Sequence, residues 1–150
     1  MKIARRRAVL ASGIAALALL GLTSTANAAA ESALAASDRR DVCFTGACGS
    51  GTITYYGPGK TYADVALSVN DTACDNHNPK IRIREYGFGG GGTSYTNYGS
   101  WHVNTKGCHG GYASFNGLSF EDVRGIYAIA VEICNNGTCR VSGQMVNPYW

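Results

Sequence analysis

The chain has 150 residues, of which 45% are hydrophobic, with 13 Lys+Arg against 10 Asp+Glu. Four of the basic residues lie within the first 28 positions, so the remainder carries nine basic and ten acidic groups. Without a net basic field, binding to a nucleic-acid backbone has little driving force, and we expect no nucleic-acid partner.

Residues 1–28 have the three parts of a secretory signal peptide. The stretch MKIARRR is basic, the following AVLASGIAALALLGL is apolar but short for a membrane span, and Ala26 and Ala28 form an A-x-A cleavage site. Arg6 and Arg7 also fit a twin-arginine signal loosely, so both export routes stay open. We therefore expect cleavage after Ala28 and a secreted, extracellular protein with no remaining membrane segment.

Residues 29–41 form the next segment, which has no cysteine or aromatic side chain. Because it has little to pack with, the composition predicts a flexible N-terminal arm, and its alanines are also compatible with helix. A disordered tail or short propeptide is one alternative, and an arm that orders on a partner is the other. The candidate interface residues of this arm are Ala29, Glu31, Leu34, Arg39 and Arg40.

Residues 42–150 hold six cysteines and predict a single disulfide-rich β domain. The cysteines are Cys43, Cys48, Cys74, Cys108, Cys134 and Cys139. An even number in a short secreted chain indicates three disulfides. The first two cysteines and the last two have the same spacing, so each pair is expected to form a short clip. Cys74 then pairs with Cys108 and closes the long middle loop, which should stabilise the fold most.

The second clip lies in the stretch CNNGTC at residues 134–139. Asn136-Gly137 is typical of a two-residue type I′ hairpin, because both central positions need a positive φ. That turn sets Asn135 opposite Thr138 and Cys134 opposite Cys139, where the strands come close enough for a disulfide. A redox or zinc pair would need a different pattern, so no metal site is expected.

Alternation of apolar residues predicts the strands. Residues 62–69 place Val65, Leu67 and Val69 on one face, and residues 80–86 alternate with Ile81 and Ile83 on one face. Further strands are predicted at 52–56, at 126–134 as a central strand buried on both faces, and at 138–146 as its hairpin partner. Residues 119–123 are compatible with one helical turn. With Gly-rich loops between short strands, the sequence predicts an all-β fold, a small disulfide-stapled β-sandwich or barrel.

Acidic and histidine side chains give a weak case for catalysis, and we expect no enzyme, no catalytic residue and no bound cofactor. The residues considered are Glu85, Glu121, Asp122, Glu132, Arg124 and His102. Asp122 and Arg124 have the composition of a solvated turn, and Glu85 is interpreted as a strand charge beside Arg84. Glu132 differs, because it lies within the most apolar strand, where a carboxylate needs a partner such as Arg140 or a position at the sheet rim.

Residues 86–115 combine aromatic rings with Gly, Ser, Asn and Thr. This composition is typical of recognition surfaces, since rigid amphipathic rings provide contact area while small polar residues adapt. The candidate interface residues here are Tyr95, Tyr98, Trp101 and Tyr112. The alternative is that half of the rings fill a loop-covered core.

Several features together resemble small secreted cysteine-rich proteins of filamentous actinobacteria. They are the Ala-rich signal, the Ala/Ser arm, the two C-x4-C clips, the strand ending VEIC and the C-terminal NPYW. Among these proteins the chain most resembles the small adaptor subunit of umbrella toxin particles. The resemblance implies a subunit without enzymatic activity that joins a lectin-bearing subunit to a large toxin, partly through its N-terminal extension.

The sequence therefore predicts a secreted, non-catalytic module for protein–protein interaction, an adaptor in an antibacterial toxin complex. A binder of glycans or cell wall is the alternative from the aromatic segment. A secreted enzyme inhibitor is a third, for which an exposed loop fixed by Cys108 would suffice.

Overall fold

The computed structural model describes residues 34–150, which form ten β-strands. The strands are β1 (Ala36–Phe44), β2 (Ala47–Tyr55), β3 (Tyr62–Asp71), β4 (Lys80–Phe88), β5 (Ser94–Tyr98), β6 (His102–Val103), β7 (Ala113–Glu121), β8 (Ala128–Asn135), β9 (Thr138–Val141) and β10 (Met145–Val146). The only helical element in this range is a short 3-10 turn at Gly90–Gly92. The predicted all-β class is confirmed.

The strands form two antiparallel sheets that curl as a half-barrel around one core. Sheet A has the order β1-β2-β3-β7. Sheet B has the order β10-β8-β4-β5, with β9 continuing the β10 side of β8 and β6 continuing the β5 side of β4. Val65, Leu67 and Val69 of sheet A and Ile81 and Ile83 of sheet B point into the core, as the period-two alternation predicted.

Strand β2 lies directly under β8 and contains two glycines where the sheets approach. A Cβ atom on Gly49 would lie 2.7 Å from Cγ2 of Ile133, and one on Gly51 would clash with Val131. The missing side chains let the two sheets pack closely, because a β-carbon in either position would push β8 away. The close approach explains why the inner face of β8 is completely buried.

All three predicted disulfides are present, as Cys43–Cys48, Cys74–Cys108 and Cys134–Cys139. The last bridge joins β8 to β9 in the predicted register, with Asn135 opposite Thr138. Asn136 and Gly137 have φ values of 46° and 77°, as a type I′ turn requires. The partner strand predicted at 138–146 is divided into β9 and β10, because the register moves by one residue across 142–144.

Two predictions for the N-terminal region need correction. Residues 36–41 belong to β1, which pairs with β2 along its whole length, so the expected domain boundary at residue 42 lies inside a strand and no helix forms there. The polar composition suggested an arm because β1 is a charged edge strand. In this strand Asp38 pairs with Arg40, and Arg39 pairs with Asp41. Residues 1–33, with the signal peptide and the first part of the arm, lie outside the described residues.

The helical turn expected at 119–123 is also absent, because residues up to Glu121 continue β7. Asp122 then begins a tight turn in which its backbone carbonyl accepts a hydrogen bond from Gly125 N at 2.8 Å.

Removing the Cys74–Cys108 bridge should destabilise the protein more than removing the Cys43–Cys48 clip. The two bridges span 34 and 5 residues. Loop-closure entropy then predicts a loss of about 3–4 kcal/mol for the double Cys→Ser variant of the long bridge and about 2 kcal/mol for the clip. Urea denaturation of the two oxidised double variants measures both values, and equal losses would contradict the entropic explanation.

Candidate functional site

The outer face of sheet B, which points away from sheet A, carries the side chains of alternate β4 residues. Lys80, Arg82 and Arg84 point outward, while Ile81 and Ile83 point into the core. The cross-strand partners of the three basic residues on β8 are Cys134, Glu132 and Ala130. The strand that the sequence presented as a simple alternation therefore places three cations in one row.

Glu132 lies in the middle of this face and is buried, with its side chain only 6% exposed. Arg82 Nε donates a hydrogen bond to Glu132 Oε2 at 2.7 Å, and Arg84 Nη2 donates to Oε1 at 3.0 Å. The two arginines neutralise a carboxylate that would otherwise be costly to bury.

The sequence suggested Arg140 as a partner of Glu132, and this prediction is wrong. Arg140 lies opposite Ile133, and alternation along the strand turns it to the other face, where it is exposed. Glu132 is also not at the sheet rim, since β8 has neighbours on both sides.

Two aromatic rings cover the arginines. The guanidinium carbon of Arg82 lies 4.2 Å from the ring centroid of Tyr98 and 4.1 Å from that of Trp101. Lys80 Nζ is 4.6 Å from the Trp101 centroid, and Arg84 is 5.2 Å from that of Tyr98. These distances are typical of cation–π interactions, and the interactions hold both the rings and the cations in place. We call Lys80, Arg82, Arg84, Tyr98, Trp101 and Glu132 the aromatic–arginine face.

The other candidate interface residues lie elsewhere. Tyr95 points to the inner side of sheet B, Tyr112 is exposed in the loop before β7, and Leu34 packs on Gly57. Arg39 and Arg40 lie on β1. Ala29 and Glu31 are outside the described residues.

Sequence reasoning did not assign Lys80, Arg82 or Arg84 to a site. The signal that could have found them is the string KIRIREY, in which the alternate residues 80, 82 and 84 are basic. Because alternate residues share a face of a strand, that string already places three cations on one surface. The remaining information, that Trp101 and Glu132 lie there too, depends on long-range pairing.

A second polar cluster lies on the inner side of sheet B, around Glu85 and Asp122. Asn97 Nδ2 donates to Glu85 Oε2 at 2.8 Å and to Asp122 Oδ2 at 2.9 Å. Tyr95 Oη also donates to Asp122, and Arg124 binds both of its carboxylate oxygens. Glu85 Oε1 has no hydrogen-bond partner in the described chain.

The expected roles of these acids are therefore wrong. Asp122 is buried rather than in a solvated turn, and Glu85 is fully buried rather than a charge beside Arg84. Neighbouring strand residues point to opposite faces, so Arg84 points to the outer face and Glu85 to the core. Of the other residues considered for catalysis, Glu121 is exposed and His102 stacks on Phe115 with ring centroids 4.9 Å apart.

The two buried carboxyls have opposite pKa shifts. Burial raises the pKa of Glu85 to about 6, against the hydrogen bond from Asn97 and together with the nearby Asp122. Hydrogen bonds from Arg124 lower the pKa of Asp122 to about 2, against the effect of burial. Such separated pKa values occur in acid–base pairs, but Glu85 has no exposed surface in this structure.

No family model matches the sequence, and no curated protein matches it at a significant level. Within residues 34–150, no helix is long and apolar enough to cross a membrane.

Glu132→Ala should destabilise the protein by about 3 kcal/mol, because it leaves two half-buried arginines without their counter-ion. Arg140→Ala, the matched control, removes an exposed side chain from the next strand and should cost less than about 0.5 kcal/mol. Urea denaturation at pH 7 measures both. Similar losses in the two variants would contradict the assigned pairing.

Glu85→Gln should remove a pH dependence of stability. Because folding raises the pKa of Glu85 from 4.5 to about 6, its contribution is fully present below pH 4.5 and is lost as the pH rises through about 6. The loss amounts to about 2 kcal/mol at most. The groups that face Glu85 are Asp122, Arg124, Tyr95, Asn97 and Tyr55.

The measurement is the free energy of unfolding at pH 4.5 and pH 7.5. Glu85→Gln should match the wild type at the lower pH and exceed it at the higher pH. The control, Glu121→Gln, alters the exposed residue next to Asp122 and should follow the wild type. A pH dependence that is unchanged in Glu85→Gln would show that Glu85 does not titrate in this range.

Proposed function

We propose that this chain is a secreted, non-catalytic binding module whose aromatic–arginine face binds another protein. The observation that carries the proposal is the position of Arg82, which pairs with buried Glu132 and lies about 4 Å from the centroids of both Tyr98 and Trp101. Trp, Tyr and Arg are the residue types that contribute most to binding at protein interfaces.

The contacts within the face support a rigid surface. Side chains that are already fixed lose less conformational entropy on binding, so more of the contact energy contributes to affinity. Arg82 and Arg84 are each held by a hydrogen bond to Glu132 and by a ring. Tyr98 keeps 50% of its surface exposed and is therefore accessible to a partner.

The charges of the face support a partner with an acidic surface. The face contains three cations and one carboxylate, since Arg82 and Arg84 pair with Glu132 and Lys80 lies over Trp101, and this leaves an excess of positive charge. A complementary acidic patch would speed association and orient the partner. Secretion is part of the same proposal, and it is supported by the three disulfides, which persist in oxidising compartments.

An adaptor needs a second contact surface, and β1 offers one. It is the edge strand of sheet A, so one side of its backbone has no strand partner among residues 34–150, and residues 29–33 precede it in the chain. An edge strand can accept another strand. The role as adaptor in a toxin complex rests on this second surface and on the resemblance to the umbrella toxin subunit.

The test is affinity purification of the C-terminally tagged protein from native culture medium, with quantitative mass spectrometry. Tyr98→Ala/Trp101→Ala should reduce recovery of the partner by about thirtyfold, since hot-spot residues contribute 2 kcal/mol or more. Tyr112→Ala is the matched control, because Tyr112 is 52% exposed but lies outside the face. Thermal melts show that each variant is folded.

A variant lacking residues 29–33 tests the second surface without removing any part of β1. This variant should lose a secreted protein other than the one that depends on Tyr98 and Trp101, and that result would support the adaptor role. Recovery of the wild-type protein alone, or equal losses with the Tyr98/Trp101 and Tyr112 variants, would contradict the proposed interface.

A further inference from the structure

A cavity of about 440 Å³ opens beside the aromatic–arginine face, where β4 begins and the β8–β9 hairpin ends. Its lining includes His77, Asn78, Lys80, Trp101, Asn135 and Asn136. Its volume is in the range of small-molecule binding sites. The cavity does not involve Arg84 or Tyr98, so its occupant can differ from the partner of the face.

The walls of the cavity are fixed by covalent bonds and by a tight turn. The Cys134–Cys139 bridge lines the cavity and closes the hairpin that carries Asn136. The loop that carries His77 and Asn78 begins at Cys74, which is bonded to Cys108. Trp101 is held by its contacts with Lys80 and Arg82. A site with fixed walls loses little entropy when it binds a ligand.

The chemistry of the lining is amphipathic and positively charged. Asn78 and Asn136 provide amide donors and acceptors, Trp101 provides an aromatic ring, and Lys80 provides an ammonium group. No acidic residue lines the cavity, and Lys80 forms no salt bridge within residues 34–150. Asn135 borders the cavity with its backbone only, because its side chain points to the inner side of sheet B, where Nδ2 donates a hydrogen bond to Gly46 O at 3.1 Å.

We propose that this cavity binds a sugar residue that bears a carboxylate, of the uronic-acid type. The ammonium group of Lys80 binds the carboxylate, and the amides of Asn78 and Asn136 bind hydroxyl groups, which can both donate and accept. The indole of Trp101 contacts the C–H face of the sugar ring, because those hydrogens carry the partial positive charge that an aromatic face attracts. An acidic sugar uses all three features together, whereas a neutral sugar leaves the lysine unused.

The test is titration of the isotope-labelled protein with glucuronic acid at neutral pH, followed by NMR. Glucuronic acid should shift the Trp101 indole and Asn136 amide signals saturably and bind about tenfold more tightly than glucose, the neutral analogue. Lys80→Met keeps the aliphatic stem over Trp101 and should remove that tenfold difference. Lys106→Met, at an exposed lysine outside the cavity, should preserve it.

Asn136→Gly tests the amide separately, because glycine tolerates the positive φ of 46° at this turn position. It should weaken binding of both sugars by several-fold without changing the thermal melt. Absence of saturable shifts for either sugar would overturn the proposal, as would equal affinity for the two sugars in the wild type. An acidic dipeptide that binds the same residues more tightly than glucuronic acid would identify a peptide site and also overturn it.

Discussion

The structure depends on the burial of β8 on both of its faces. On the inner face, Gly49 and Gly51 of β2 have no side chains, so Ile133 and Val131 reach the backbone of sheet A. On the outer face, Glu132 lies at a buried position that a carboxylate can occupy at reasonable cost only when it is paired. The central strand therefore imposes two requirements on its neighbours, glycines on one side and cations on the other. Both requirements are met by strands distant in sequence, which ties sheet A, β4 and β8 into one unit.

The cations that neutralise Glu132 also form the proposed binding face. Arg82 and Arg84 cannot turn freely toward solvent, because each is held by the carboxylate. Their guanidinium planes in turn support Tyr98 and Trp101. The arginines that stabilise the buried carboxylate therefore also hold the two surface rings in place. The fixed Trp101 ring also forms one wall of the cavity beside the face, so the same buried carboxylate indirectly shapes both proposed sites.

Local features of the sequence predicted local structure well. The Asn136-Gly137 turn and the flanking cysteines defined the hairpin register, since a two-residue turn allows only one alignment of the residues on the two strands. Alternation predicted which face of β4 is buried. The partners of Glu132 could not be predicted, because Arg82 and Arg84 are separated from it by 50 and 48 residues and belong to another strand. The polar sequence of β1 resembles that of a flexible arm, since an edge strand can carry charged side chains at little cost.

Sheet B buries one carboxylate on each of its faces, and it compensates for the burial in two different ways. Glu132 on the outer face is neutralised by two arginines. Glu85 on the inner face receives one amide hydrogen bond and lies near Asp122, which already binds Arg124, so its pKa is raised and protonation becomes the compensation. The difference follows from register, because β4 alternates arginines outward with Glu85 inward. Near Asp122, a proton on Glu85 can therefore take the place of a missing cation. On the proposed binding face, the cations are supplied by the chain itself, as Arg82 and Arg84.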